Sequence, residues 1–242
     1  MQKGLSYSMY SALRKCGQYY KLSYIDRIPQ PKAHALEFGS AIHAGMHDLL
    51  SGHDVEAALA VFEAYWDSVS GKVSDYDRET PQTLKDKGVK FIANFYKRYG
   101  KDMQLVVAEK RIYLPHASGL QLEGTPDAVV RWNDKQVLLD YKTSQYSYPV
   151  DKAFVSLQLH FYAYLLQKSG ITVDQMAYIV FEKYTGAVNK PVVIDLDHAK
   201  MESMVEEMVA YAARNQNSHE KNPNSCFYGK NKCAYFERCW GK

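Results

Sequence analysis

The chain has 242 residues, 46% of them hydrophobic and 24% charged, and a formal net charge of only +3 at pH 7. This composition is typical of a globular protein, and so small a net charge means that any basic surface must come from local clustering. No apolar run reaches the ~20 residues that cross a bilayer, and the first residues lack the apolar core of a signal peptide. We therefore expect a cytoplasmic protein without membrane association.

The first hundred residues are predicted to be helical, because their apolar residues recur at helical spacing. Ser8 is a candidate N-cap for the first helix, and a polar loop is predicted at 70–81. One side of the second helix is rich in small residues, which would let its backbone approach a neighbouring helix closely. The predicted helices are 8–20, 39–50, 55–69 and 82–99.

The sequence then changes to short β-rich segments separated by turn residues, followed by alternating helices and strands. Asn133, Asp134 and Lys135 predict a tight hairpin turn. The predicted strands are 105–114, 120–123, 127–132, 136–141, 176–184 and 191–196, and the helices are 150–168 and 198–214. This order predicts an α/β fold with a central mixed β-sheet flanked by helices. We expect a single domain, 1–242, with a helical insertion at about 51–100.

Two carboxylates and a lysine lie in the predicted hairpin. Alternation along a strand puts Asp140 and Lys142 on one face, and pairing across the hairpin can bring Asp127 near Asp140. Carboxylates bind Mg²⁺ or Mn²⁺, which acidify a bound water, and a lysine beside that water can orient it. Taken alone, the aspartates could cap turns and the lysine could be solvated. However, Asp140 follows the apolar segment 137–139, and a carboxylate that ends a buried strand needs a partner.

The pattern Gly124-Thr-Pro-Asp127 followed by Asp140-Tyr141-Lys142 resembles the core of PD-(D/E)XK nucleases. The resemblance implies a restriction-endonuclease-like core in which Asp127, Asp140 and Lys142 are catalytic. It also implies that both aspartates bind the metal and that the Tyr141 carbonyl completes the coordination.

Two further segments are similar to the RecB-type branch of these nucleases. Residues 38–43 resemble the helix that supplies a histidine metal ligand, here His43. Gln158 and Tyr162 resemble the Q-x-x-x-Y motif that contacts nucleic acid, and they lie one helical turn apart. Each segment also has an ordinary interpretation. Taken alone, His43 is more typical of a hydrogen-bonded core histidine, and Gln158 and Tyr162 are typical of a half-buried helical turn. Glu109 is a weaker candidate, either a further site carboxylate or an ion-pair partner.

The four cysteines are Cys16, Cys226, Cys233 and Cys239. In a cytoplasmic protein such a set suggests a metal centre rather than disulfides. A structural zinc site usually has two C-x-x-C pairs, which this chain lacks. One N-terminal and three C-terminal cysteines resemble the 4Fe–4S cluster of AddB-type nucleases and CRISPR-associated adaptation exonucleases. The resemblance implies a cluster-binding subregion of residues 16 and 226–239 that joins the two ends of the chain. Free, separately buried cysteines are the alternative.

Together these patterns predict a metal-dependent enzyme that hydrolyses DNA, and the resemblance implies an exonuclease that prefers single-stranded ends. The resemblance implies a role in DNA recombination or repair, phage DNA processing or CRISPR adaptation, in a bacterial or phage-infected cell. No helicase motif is present, so the chain would act alone, as a homo-oligomer or with a separate helicase, recombination or CRISPR partner. The alternatives are a catalytically inactive DNA-binding module of the same fold and a zinc-stapled adaptor.

Overall fold

The structure is a computed structural model that describes residues 4–30, 33–73, 76, 79–228 and 231–241. The loop expected at 70–81 lies partly outside these residues. A π-helical turn follows α2 at Lys21–Ile25, and 3₁₀ turns occur at Gly100–Asp102 and Pro223–Ser225. The helices are α1 (Tyr7–Lys15), α2 (Gly17–Tyr20), α3 (His34–Leu50), α4 (Val55–Ser70), α5 (Pro81–Arg98), α6 (Val150–Phe154), α7 (Leu157–Lys168), α8 (His198–Asn215) and α9 (Phe236–Trp240).

A mixed β-sheet forms the centre of the fold, as the sequence predicts. Its strand order is β2-β5-β6-β7-β8, with β9 also paired to β7, and only β6 and β7 run parallel. A second sheet has the order β1-β4-β3, and β10 pairs with β11. The strands are β1 (Gly4–Leu5), β2 (Gln104–Ala108), β3 (Ile112–Pro115), β4 (Gln121–Gly124), β5 (Ala128–Trp132), β6 (Lys135–Ser144), β7 (Gln175–Glu182), β8 (Ala187–Val188), β9 (Val192–Asp195), β10 (Phe227–Tyr228) and β11 (Asn231–Lys232).

Helices cover both faces of the central sheet. On β6, Val137, Leu139 and Tyr141 belong to the hydrophobic cluster that includes α3, α4 and α5. Leu138 belongs to the other cluster, which includes α1, α7 and α8. Because side chains alternate along a strand, Asp140 and Lys142 project toward the same face as Leu138. No helix in the described part of the chain is long and apolar enough to span a membrane.

Two predicted helices are each divided in two. The first begins at Tyr7 rather than Ser8, because Ser6 is the N-cap and its Oγ accepts from the Met9 amide at 3.2 Å. It ends at Cys16, whose backbone is extended (φ −169°, ψ 123°), so the prediction of one helix over 8–20 is wrong.

The prediction of one helix over 150–168 is also wrong. Ser156 interrupts it and caps α7 by accepting the Leu159 amide at 3.2 Å.

The prediction of a single strand over 105–114 is also wrong, because these residues contribute to two strands that belong to different sheets. Glu109, between β2 and β3, has a left-handed backbone (φ 45°) that turns the chain out of the central sheet. The hairpin between β5 and β6 is confirmed. Asn133 and Asp134 both have positive φ (50° and 59°), as a tight two-residue hairpin turn requires.

The small residues of α3 serve two different surfaces. A side chain at Gly45 would come within 3.1 Å of the Ala58 carbonyl oxygen of α4, so the absence of a side chain allows the helices to pack closely. Gly39, Ser40 and Ala44 instead line an open cleft at the end of the central sheet. The prediction of close packing therefore holds for only part of this helix.

Candidate active site

The hairpin register brings the two aspartates together. Ala128 pairs with Leu139, so Asp127 and Asp140 are the next residues on neighbouring strands. The Tyr141 amide donates to Oδ2 of Asp127 at 2.7 Å. This bond fixes the Asp127 carboxylate beside the end of β6, which is the position expected from the sequence.

Asp140 is a buried carboxylate with one cationic neighbour. Its residue is only 1% exposed, and Nζ of Lys142 lies 2.5 Å from Oδ2. Neither oxygen makes a hydrogen bond of normal geometry within the described residues. Burial, and then the charge of Asp127, raises the pKa of Asp140 to about 6, although Lys142 and His43 oppose the shift. A buried carboxylate whose direct partner is an ammonium is suited to bind a metal cation in its place.

His43 approaches the carboxylates from α3. Its Nδ1 lies 3.3 Å from Oδ1 of Asp127, and its Nε2 lies 3.2 Å from the Tyr141 carbonyl oxygen. Burial lowers the pKa of His43, but the hydrogen bond and charge of Asp127, together with Asp140, raise it above its ordinary value. Both ring nitrogens face acceptors, which favours the imidazolium form.

The donor set fits a hard divalent cation. Asp127 and Asp140 offer carboxylate oxygens, Tyr141 its carbonyl and His43 its imidazole, which are ligands suited to Mg²⁺ or Mn²⁺. No three His, Cys, Asp or Glu side chains in the described ranges are close enough together to hold an ion as they stand. In this arrangement Asp140 contacts Lys142, and His43 contacts Asp127 and Tyr141. Binding of an ion would therefore replace these contacts between protein groups with bonds from the same groups to the metal.

Gln158 and Tyr162 face the same site from α7. Nε2 of Gln158 donates to the Tyr162 hydroxyl at 3.4 Å, a long bond. Burial raises the pKa of Tyr162 to about 12, with Gln158 opposing the shift and Asp140 and Asp127 adding to it. The Tyr162 hydroxyl is thus within electrostatic reach of both carboxylates, as the sequence motif leads us to expect.

Gly124 makes room for the Tyr162 ring. A side chain at this position would come within 2.7 Å of Cδ1 of Leu165 and 3.0 Å of Cε1 of Tyr162. Gly124→Ala is therefore expected to displace Tyr162, and to lower kcat/KM about tenfold for the DNA cleavage predicted from the sequence, while leaving the fold intact. Steady-state kinetics and circular dichroism would test this. The control is Gly71→Ala, because a side chain at Gly71 would meet no neighbouring atom. Gly119→Ala is not suitable, because Gly119 has a positive φ. Gly71→Ala should behave as the parent.

Two tyrosines near the site were not predicted. Tyr7 of α1 packs against the hydrophobic cluster on the same face of the sheet as Asp140. Burial raises the pKa of Tyr7, Lys142 lowers it and Asp140 raises it further. Tyr178 pairs with Asp140 across the parallel strands β6 and β7, and its hydroxyl lies 2.6 Å from Oγ of Ser156. Strand alternation in β7 could have indicated Tyr178, but no spacing pattern points to Tyr7.

Asp127 lines the open cleft described with α3, whereas the buried Asp140 does not. The cleft has a volume of about 640 Å³, and Glu109, Thr125, Tyr141 and Lys142 are also among its lining residues. Glu109 therefore lies at the rim of the site, and it forms no ion pair with another residue that the structure describes.

The four cysteines line one small cavity at the opposite end of α1, and no disulfide joins them. Backbone and side-chain donors point at two sulfurs. The Asn222 amide lies 3.3 Å from Sγ of Cys16, and Nε1 of Trp240 lies 3.3 Å from Sγ of Cys226. Such N–H···S contacts are favourable for bound thiolates.

Gly17 allows the C-terminal segment to reach the first cysteine. A side chain on Gly17 would come within 2.3 Å of the Ser218 carbonyl oxygen. The Gln18 amide donates to the Glu220 carbonyl at 3.1 Å, and the Asn222 side chain donates to the Lys15 carbonyl at 2.9 Å. Chain segments more than two hundred residues apart in sequence are therefore joined beside the cysteine cavity.

The sequence profile of the PD-(D/E)XK nuclease superfamily matches residues 4–240. The chain belongs to this superfamily. The solved structure of an exonuclease candidate from Eubacterium rectale has the same fold, with a TM-score of 0.62 and 11% identity over 100% of this chain and 94% of that one. The structure of SSO0001 is 16% identical over 96% of this chain and 95% of that one, but its TM-score of 0.36 is too low to support an argument. No curated protein matches the sequence.

Proposed function

We propose that this chain is a divalent-metal-dependent deoxyribonuclease with its active site at the end of β6. The observation that carries the proposal is the almost fully buried Asp140 carboxylate, which lies beside Asp127 and has the Lys142 ammonium as its direct partner. Two carboxylates, a carbonyl and an imidazole converge there, and such oxygen and nitrogen donors suit a divalent cation. Membership of the nuclease superfamily supports the same conclusion.

In the proposed site His43, Asp127, Asp140 and the Tyr141 carbonyl hold Mg²⁺ or Mn²⁺. The cation supplies Lewis acidity toward a phosphodiester and lowers the pKa of water. Lys142 is released from Asp140, orients the attacking water and offsets the negative charge that develops on the phosphate. Gln158 and Tyr162 position the DNA strand from α7.

We propose exonuclease action on single-stranded DNA ends, in the cytoplasm. This finer assignment is supported by the similarity to RecB-type nucleases and by the fold shared with the exonuclease candidate. DNA recombination or repair, phage DNA processing and CRISPR adaptation are the processes in which such an enzyme acts. It would function alone, as a homo-oligomer or with a separate helicase, recombination or CRISPR protein.

We also propose that the four cysteines bind a 4Fe–4S cluster. All four line one cavity, and N–H groups lie 3.3 Å from the sulfurs of Cys16 and Cys226. The similarity to cluster-binding nucleases supports a cluster over zinc, and so does the lack of the C-x-x-C pairs that a structural zinc site usually has. Anaerobically purified protein should contain about four iron and four sulfide per chain. Zinc without iron would contradict the assignment.

The nuclease proposal is tested with end-labelled single- and double-stranded DNA in Mg²⁺, Mn²⁺ or EDTA. We expect metal-dependent degradation that EDTA stops and that Lys142→Ala reduces about 10²-fold, because the water loses its orienting ammonium. Lys135→Ala, at the other end of the same strand, is the control and should retain activity.

Equal activity in the parent and Lys142→Ala proteins would place the cleavage outside this site. DNA binding without any cleavage by the metal-loaded parent would instead support an inactive DNA-binding module. The lengths of the labelled products distinguish exonuclease from endonuclease action.

A further inference from the structure

An open groove of about 600 Å³ runs along α1 and continues onto α2. Tyr7, Ser11 and Lys15 follow one another at four-residue intervals, so they form one stripe on the helix, and Tyr19 lies beyond them on α2. Since α1 has nine residues, the helical part of the groove is about 14 Å long. This groove is separate from the cleft that contains Asp127.

The two ends of the groove adjoin the two sites described above. Tyr7 lies at one end, where it packs against the hydrophobic cluster that contains Tyr178, on the face of the sheet toward which Asp140 projects. Lys15 and Tyr19 lie at the other end, and both also line the cysteine cavity. The groove thus extends along α1 from the side of the sheet that carries Asp140 to the cysteines.

The chemistry of the groove suits a single nucleic-acid strand. None of its lining residues carries a carboxylate, and Tyr7, Tyr19 and Tyr24 contribute aromatic rings. Nζ of Lys15 lies 4.8 Å from the centre of the Tyr19 ring and has no ion pair with another described residue. Proteins bind single strands through cations that contact phosphates and aromatic rings that stack on bases. In a duplex, the faces of the bases are already covered by their neighbours.

We propose that this α1 groove binds the stretch of single-stranded DNA that adjoins the scissile phosphate. The proposal rests on the nuclease function proposed above. Lys15 contacts a phosphate, Tyr19 offers a ring to a base, and the strand passes Tyr7 to enter the active site. Binding along α1 would explain why a residue of this helix stands beside the catalytic groups.

Lys15→Glu tests the groove, and Arg14→Glu is its matched control. Both variants replace a positive charge with a negative one at the C-terminal end of α1. The Arg14 guanidinium, however, lies outside the groove, 4.8 Å from the centre of the Tyr211 ring of α8. The substrates are dT12 and the p-nitrophenyl ester of thymidine 5′-monophosphate, which is too small to occupy the groove. We expect Lys15→Glu to lower the ratio of kcat/KM for dT12 to that for the ester about tenfold. Arg14→Glu should keep the parent ratio.

Fluorescence anisotropy of labelled dT12 in EDTA measures binding without cleavage. We expect Lys15→Glu, and also Ser11→Glu in the middle of the groove, to weaken binding about tenfold. Ser11 is exposed, so this second variant keeps the test valid if Lys15→Glu disturbs the neighbouring Cys16. Parent-like affinity in Ser11→Glu together with an unchanged ratio in folded Lys15→Glu would overturn the proposal. A parent that cleaves neither substrate would refute the nuclease function, while the anisotropy would still decide whether the groove binds DNA.

Discussion

Replacing Asp140 with asparagine is expected to abolish nuclease activity while making the metal-free protein more stable at neutral pH. Activity should fall by at least about 10³-fold, because the variant loses a carboxylate ligand of the proposed cation. Stability should rise because Lys142, which is partly exposed, and the charge of His43 only partly offset the burial of the Asp140 charge. Asparagine has nearly the same shape without the charge.

The stability gain should depend on pH. Burial raises the pKa of Asp140 from 3.8 to about 6, so the folded protein binds a proton that the unfolded chain releases. The free energy of unfolding of the parent therefore falls as pH rises between these two values, and the penalty is complete above about pH 6. The variant lacks this penalty. We expect it to be more stable by about 1–3 kcal/mol at pH 7.5 and no more stable than the parent near pH 4.

Thermal and urea unfolding in EDTA at several pH values measure this difference. Asp195→Asn, an exposed aspartate at the end of β9, is the control and should change neither activity nor stability. With added Mn²⁺ the order should reverse, because only the parent gains stability from binding the ion. An Asp140→Asn protein that is less stable than the parent in EDTA at pH 7.5 would show that the carboxylate serves the fold rather than the site.

Replacing Cys233 with alanine is expected to remove the proposed cluster and to destabilise the whole protein. Cys16 and the residues that contact it from the C-terminal segment, such as Asn222, are 206 positions apart, so a cluster that joins them restricts a very long loop in the unfolded chain. Loop closure of this length contributes about 3–5 kcal/mol to the free energy of unfolding. Absorbance near 400 nm, iron content and urea unfolding of anaerobic protein would measure the loss.

A shared cluster also predicts that the four cysteines behave as one unit. Cys16→Ala should cost about as much as Cys233→Ala, and the double variant little more than either, because the first substitution already removes the common ligand. Asn224→Ala, an exposed change in the same segment, is the control and should retain iron. A Cys233→Ala protein that is soluble, metal-free and as stable as the parent would contradict the cluster.

Much of the candidate site could be predicted because its residues lie within short, regular elements. Asp140 and Lys142 are two apart on one strand, and a tight turn fixes how that strand pairs with the segment that begins at Asp127. Gln158 and Tyr162 are one helical turn apart. In each case local geometry determines which side chains share a face, so the sequence pattern is sufficient.

The remainder depends on contacts that are distant in sequence. Tyr7 reaches the site only because α1 packs against α7 and α8, and no pattern around residue 7 records that packing. The break at Glu109 was missed because its flanking residues favour strand on both sides. The conformation at Glu109 is set by the hydrogen bond from its amide to the Asp127 carbonyl, which is a tertiary contact.

The helix α1 connects the two proposed sites by a short and regular path. It begins at Tyr7, which packs on the side of the sheet that carries Asp140, and is followed immediately by Cys16 in the cysteine cavity. Nine helical residues set the distance between these ends at about 14 Å. One short helix therefore fixes the spacing between the proposed metal site and the proposed cluster site.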